Sequence, residues 1–248
     1  MAASSIASKD SDHFDRTRDY QLFELCSMDV GGIAYARLVA RRMKDATFRQ
    51  QQRDRQMDSH IAPINQLVAD LQDPDAGLWL PEVAPMHAGI DALVVSVLRD
   101  PGPKTQSGTG SGFLCIENDD PTAERQMELF EQHGISARKI LPWNAYPWYI
   151  NRAPNATELK AGADVLYRLI DLAPSCRAVL LQGTHAADAW RRLLKQHPTF
   201  AHQRGIEAVE SIHPGRQALW TNDPVERQAR LDKQQAAYRR VATIINEK

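Results

Sequence analysis

From residue 92 onward the chain alternates short β-branched runs with helix-like stretches four times. The runs lie at 92–98 (ALVVSVL), 138–143 (RKILPW), 177–182 (RAVLLQ) and 206–212 (IEAVESI). The first of these, a short β-branched run, has the pattern of a strand buried on both faces. Between them stand helix signals. Asp120-Pro121 is a cap followed by proline at the first helical position. Asn155-x-x-Glu158 has the form of a capping box and opens a helix over 156–172. A third helix over 184–195 stops at His197-Pro198, and Asp223-Pro224-x-Glu226 starts a last one to about Asn246. This order predicts a three-layer α/β/α sandwich with a four-stranded, mainly parallel sheet and right-handed crossovers. The second strand is expected to be shortened by Pro142.

The first third reads differently. Residues 1–17, rich in Ser, Asp and Ala, are expected to be a flexible tail. Residues 18–248 are expected to form one domain, with a helical part over 18–75 and the α/β core over 90–248. The helical part breaks near Gly31-Gly32, and its second helix is predicted over 57–72. Residues 73–90 and 99–120 read as loops.

A chain of 248 residues with 43% hydrophobic and 25% charged content can bury a core without disulfides or metal. No apolar run is long enough to cross a membrane, and the first residues lack the apolar centre of a signal peptide. Cys26, Cys115 and Cys176 stand far apart, so neither a metal site nor a cofactor is expected. A reducing, cytoplasmic setting and a monomer are the corresponding expectations. The net charge of −1 gives no global signal for nucleic acid. Between Ala36 and Arg55, however, seven basic residues stand against two acidic ones. A phosphate-tracking stripe and a solvated helix face fit this segment equally well.

Ligands of open α/β sheets sit at the carboxyl ends of the strands. After the first strand come Arg99-Asp100-Pro101-Gly102-Pro103-Lys104 and then Gln106-Ser107-Gly108-Thr109-Gly110-Ser111-Gly112-Phe113. After the second comes Asn144-Ala145-Tyr146-Pro147-Trp148, after the third Gly183-Thr184-His185, and after the fourth His213-Pro214-Gly215-Arg216. An Asp, an Asn and a His would thus meet in one crevice, able to act as a base, read a polar edge and stabilise an anion. The glycine-rich stretch follows neither the dinucleotide nor the Walker spacing. It reads as a tight loop presenting Phe113.

The segments LRDPGP, the glycine-rich stretch ending in Phe113, WNAYPW and HPGR, in this order and spacing, resemble the uracil-DNA glycosylase superfamily over about residues 92–220. The stretch NRAPNATE is also similar to the iron–sulfur branch, but that branch's four cysteines are absent from this sequence. The resemblance implies a DNA partner and a monofunctional glycosylase acting on a flipped uracil or a larger modified pyrimidine, in repair or in defence against modified phage DNA. It implies that Asp100 orients water and that His213 bonds the departing base. Asn144 would read the base edge, Phe113 would stack on the ring, and Arg99 and Gly102 would flank it. Lys104, Gln106, Ser107, Arg216 and Gln217 would contact DNA. Three positions depart from the family pattern. His-Pro-Gly replaces His-Pro-Ser, and Arg99 precedes the aspartate, where its charge is expected to favour ionisation. Gly102 stands where the strict uracil enzymes carry a tyrosine that excludes thymine, so a wider pocket is expected. The alternative is a non-catalytic DNA- or nucleotide-binding module of the same fold.

Overall fold

The computed structural model describes residues 40–247. The tail over 1–17 and the helical reading of 18–39 lie outside the described residues. Two helices come first, α1 (Ala46–Asp54) and α2 (Ala62–Leu71). The second begins five residues later than the sequence suggests, because Pro63 favours the first turn and residues 55–61 are turns. Next come β1 (Glu82–Val83), β2 (Val94–Leu98) and β3 (Phe113–Leu114). The pairs β1 and β3 form a small parallel sheet, Glu82 opposite Phe113 and Val83 opposite Leu114. The two segments read as loops therefore contain paired strands, too short to show a hydrophobic period.

The core continues with α3 (Pro121–Gln132), β4 (Ile140–Asn144), α4 (Ala156–Asp171), β5 (Ala178–Gln182), α5 (Thr184–Gln196), α6 (Phe200–Arg204), β6 (Glu207–Ser211), α7 (Arg216–Leu219) and α8 (Pro224–Asn246). The sheet order is β4-β2-β5-β6, all parallel. Pro142 does not shorten β4: β4 is an edge strand, where a missing N–H costs no ladder bond, and it runs through to Asn144. The helix starts follow the sequence signals. Asp120 accepts the N–H groups of Thr122 and Ala123 at 2.8 and 2.9 Å, and Asn155 and Glu158 form a reciprocal capping box.

One face of the sheet packs Val95, Val97, Leu141, Val179 and Leu181 against α2, α4 and α5. The other packs Val94, Ile140, Ala178, Leu180 and Val209 against α3 and α8. From β2 the chain moves outward to β4 by way of α3, then back across to β5 by way of α4. This reversal opens a crevice between the carboxyl ends of β2 and β5.

Gly162 sits where α4 crosses the segment after β4. A Cβ there would lie 1.8 Å from the carbonyl oxygen of Ala145, so only glycine allows this approach. Glycine to alanine within a helix ordinarily stabilises by up to about 1 kcal/mol. Here Gly162→Ala is expected to destabilise instead, by about 1–3 kcal/mol through overpacking. Urea unfolding would show a lower midpoint at unchanged slope.

Candidate active site

Backbone pairing continues past the strand ends and fixes the loops that follow. Ala145 N donates to Leu98 O at 2.8 Å and Tyr146 N to Arg99 O at 3.0 Å, which joins the loops after β2 and β4. Gly183 N donates to Ser211 O at 3.0 Å, which joins those after β5 and β6. Between the two pairs lies a cleft of about 1090 Å³. Asp100, Asn144 and His213 all line it, together with Arg99, Gly102, Lys104, Arg216 and Gln217.

The Asp100 side chain is 4% exposed and is bonded by Nε of Arg99. Burial pushes its carboxyl above the ordinary range. The bond and charge of Arg99 oppose this, as do the charge of His185 and the backbone N–H of Asn151, which stands at φ 51°. Arg99 was expected to tilt this group towards the ionised form. It does pull in that direction, but loss of water outweighs it.

His213 is shifted the other way. Burial, then the charges of Arg99 and His185, lower its pKa to about 4. The imidazole is therefore neutral at pH 7. Its Nδ1 accepts the N–H of Gly215 at 2.9 Å, so the ring proton sits on Nε2. The glycine of His-Pro-Gly is required by space. A Cβ on residue 215 would stand 2.9 Å from Nδ1 and 3.1 Å from Cε1 of the ring.

Asn144 ends β4 and is 1% exposed. Its Nδ2 is buried and has no hydrogen-bond partner among the described residues. A buried amide donor without a partner is costly, and one lining a cleft is placed to meet an acceptor on a ligand. Gly102 is open: a Cβ there would find nothing within 4 Å. The first turn of α5 also reaches the cleft, through Gly183, Thr184 and His185. Its free N–H groups favour negative charge.

Three of the expected site residues are elsewhere. Phe113 does not line the cleft: it is fully buried among Met43, Ala84 and Cys115, with the Arg53 guanidinium 5.6 Å from its ring centroid. Alternation along β3 turns Phe113 into this small core and Leu114 to the cleft wall, which Cys115, beyond the strand end, also reaches. Gln106 and Ser107 also lie outside the cleft. Their loop folds back on itself, with Ser111 N on Lys104 O and Gly110 N on Gln106 O, both at 2.9 Å. A Cβ on Gly110 would lie 2.3 Å from the Lys104 carbonyl oxygen, so the glycines serve loop closure rather than presentation of an aromatic ring.

The basic stretch of 36–55 is largely spent within the fold. Arg41 pairs with Glu124 at 2.7 Å, Arg42 with Glu117 at 2.9 Å and Arg55 with Asp58 at 2.7 Å. Arg49 holds the carbonyls of Met43 and Lys44, and Arg53 that of Ser111. At the cleft, Arg99, Arg191 and Arg230 are likewise paired, with Asp100, Asp188 and Glu226, whereas Lys104, Arg216 and Lys233 form no ion pair among the described residues.

Sequence reasoning missed the polar floor. Ser96, Gln126 and Gln182 line the cleft and are hydrogen-bonded to one another. The available signal was polar residues at the centre or end of otherwise apolar strands. Among the described residues no group of three His, Cys, Asp or Glu is placed to hold a metal ion, and no helix is long and apolar enough to cross a membrane. Neither a protein-family model nor a curated protein matches the chain.

The bond from Gly215 to His213 carries a direct expectation. Long-range ¹H–¹⁵N correlation spectra should show the Nε2–H tautomer of His213 persisting down to about pH 4. In Gly215→Ala the displaced ring should titrate nearer the ordinary value of about 6.5.

Proposed function

We propose that the protein is a monofunctional DNA glycosylase that hydrolyses the N-glycosidic bond of a flipped uracil or larger modified pyrimidine and leaves an abasic site. The observation that carries this reading is the meeting of Asp100, Asn144 and His213 in one cleft, with the Asn144 amide unspent among the described residues. Each group has a part that suits its environment. Asn144 Nδ2 donates to a carbonyl on the base edge. Neutral His213 donates from Nε2 to the carbonyl beside the glycosidic nitrogen as negative charge develops there. One such donor typically contributes about 2.7–4 kcal/mol of transition-state stabilisation. Asp100, as carboxylate, stabilises the cationic sugar and orients a water molecule.

The bonds balance as follows. The C1′–N1 bond breaks and its electron pair goes to the base. Water oxygen bonds to C1′, and its proton passes to Asp100 and on to solvent or base. Extrusion of the base supplies access, since the scissile bond of a stacked nucleotide cannot enter such a cleft. The cations on the rim suit the phosphates on either side, so binding is expected to weaken with salt. The reading assigns no stacking role to Phe113. That missing ring is also the observation that favours the second reading, a DNA- or nucleotide-binding module without turnover.

Abasic-site formation on duplexes carrying single uracil or modified pyrimidines decides between the two. Asp100→Asn is expected to lower release by about 10²–10⁴-fold with DNA affinity retained. Unchanged release would remove Asp100 from the chemistry, and no release by the native chain from any duplex would favour the binding module. The pH profile has a fixed sign. Asp100 acts ionised and its pKa is raised, so kcat/KM should fall on acidification with a midpoint above the ordinary aspartate value of about 3.9. His213 is neutral above about pH 4, so any loss of rate well above that pH is assigned to Asp100. Gly102→Tyr would place a ring at the open wall. It should lower the ratio of release of 5-substituted bases to release of uracil by more than the 10–200-fold typical of one methylene. An unchanged ratio would show that residue 102 does not face the substituent.

A further inference from the structure

Arg99 stands between the two titratable groups on which the site is built. Its backbone is held in place, since its carbonyl oxygen accepts the N–H of Tyr146 at 3.0 Å. Its Nε donates to the carboxylate of Asp100, whose side chain is almost fully buried. Its charge also acts on His213, where it adds to the effect of burial. Of the titratable groups that line the cleft, Arg99 and His185 act on both Asp100 and His213, and Arg99 alone of these two makes a hydrogen bond to either.

The guanidinium has more to give than Asp100 takes. An arginine carries its N–H donors in one plane and has no acceptor, so no alternative assignment of atoms changes what is left over. The donor on Nε is spent on Asp100, while those on Nη1 and Nη2 have no partner among the described residues. The bond at Nε fixes one edge of the fork. Other arginines around the cleft are committed elsewhere. Arg191 and Arg230 close ion pairs on their own helices, with Asp188 and Glu226. Arg152, whose charge is also felt by Asp100, is held by both oxygens of Glu158. The Arg99 side chain is 42% exposed, so its outer edge is open to a ligand while its inner edge stays on a buried carboxylate.

We infer that Arg99 is a second catalytic donor, whose Nη groups bond the departing base at the oxygen where negative charge develops, beside His213. This rests on the glycosylase reading above. That reading puts the sugar at Asp100 and a base carbonyl at His213, so the scissile bond passes Arg99, which contacts the first and acts on the second. As the C1′–N1 bond breaks, its electron pair moves onto the base and is shared with the carbonyl oxygen. Neutral His213 offers that oxygen a hydrogen bond without net charge. Arg99 adds a full positive charge that is in place before the reaction starts. Hydrogen bonds from a charged donor to an oxyanion are roughly twice as strong as neutral ones. The same cation opposes positive charge on the sugar and partly neutralises the carboxylate that would stabilise it. The cleft therefore acts more on the leaving base than on the sugar.

The test is single-turnover base release from two duplexes that differ only in uracil or 5-fluorouracil at one position, at a pH where Asp100 is fully ionised. The fluorinated base carries negative charge more readily and so depends less on help from the protein. Arg99→Gln is expected to slow uracil release by about 10²-fold, the scale of one lost oxyanion donor, and to widen the ratio of 5-fluorouracil to uracil release by about threefold or more. Arg99→Lys keeps the charge without the fork. Its ratio should fall between those of the native chain and Arg99→Gln, and it serves if Arg99→Gln does not fold by circular dichroism. Affinity for a duplex carrying a tetrahydrofuran abasic analogue, which has no base to expel, should be unchanged. Equal slowing of both bases would make Arg99 a positioning residue that acts through Asp100. Weaker binding of the abasic duplex with an unwidened ratio would make it a phosphate contact. Either result would overturn the inference and leave the glycosylase reading standing. No release of either base by the native chain would overturn both.

Discussion

The pairing of β2 with β4 on one side and β5 on the other is the constraint on which the cleft depends. Leu98 stands opposite Asn144 and Val97 opposite Leu181, so the three strands end at nearly one level. Backbone bonds from Ala145 and Tyr146 to Leu98 and Arg99 extend this alignment into the loops. Asp100, Asn144 and Gly183 are thereby carried to one place by the ladder itself, without help from flexible side chains. Gly162 matters for the same reason. Its missing side chain lets α4 press on Ala145, directly after Asn144, and holds the end of β4 in position.

Withdrawal from water then acts on the two titratable groups in opposite directions. It favours the neutral form in each, which raises the pKa of Asp100 and lowers that of His213. Arg99 moves both the same way, since its positive charge favours an aspartate anion and opposes a histidine cation. For Asp100 it offsets burial, and for His213 it adds to it. At neutral pH the outcome is a neutral imidazole whose free proton is fixed on Nε2 by the Gly215 N–H. A donor of this kind serves an oxyanion without bringing a full charge that water would screen. The glycine at position 215 has a physical account, since a Cβ there would press on the ring that its N–H orients.

Most of the fold was legible because its signals were local. Asp120, Asn155 and Asp223 start helices where their cap chemistry requires, and β2, β4 and β5 are runs of almost entirely buried residues, while the edge strand β6 is only partly buried. What was not legible depended on pairing between distant segments. Nothing in Glu82–Val83 or Phe113–Leu114 shows that the two pair, yet that pairing turns Phe113 away from the cleft and gives the wall to Leu114 and Cys115. Pro142 misled in the other direction, because its effect depends on whether the strand lies at the edge of the sheet. Asp100, Asn144 and His213 were legible from strand ends alone. Ser96, Gln126 and Gln182 were not, since one polar residue in an apolar strand has no meaning until its neighbours across the sheet are known.

The distribution of arginines separates structural charge from charge that remains for a ligand. The stretch over 36–55 is the most basic in the sequence, but its described arginines are consumed by Glu117, Glu124, Asp58 and backbone carbonyls. Arg53 even lies over the ring of Phe113, so part of this charge serves to close the small core. Such groups cannot also neutralise phosphates without giving up partners that hold the loop before α3. Lys104, Arg216 and Lys233 differ, being exposed at the mouth of a cleft whose inner groups are polar and largely buried. A chain of net charge −1 can therefore present a locally positive mouth, with the field concentrated where a polyanion would have to enter. Local arrangement, rather than total charge, sets the sign of the potential at the cleft mouth.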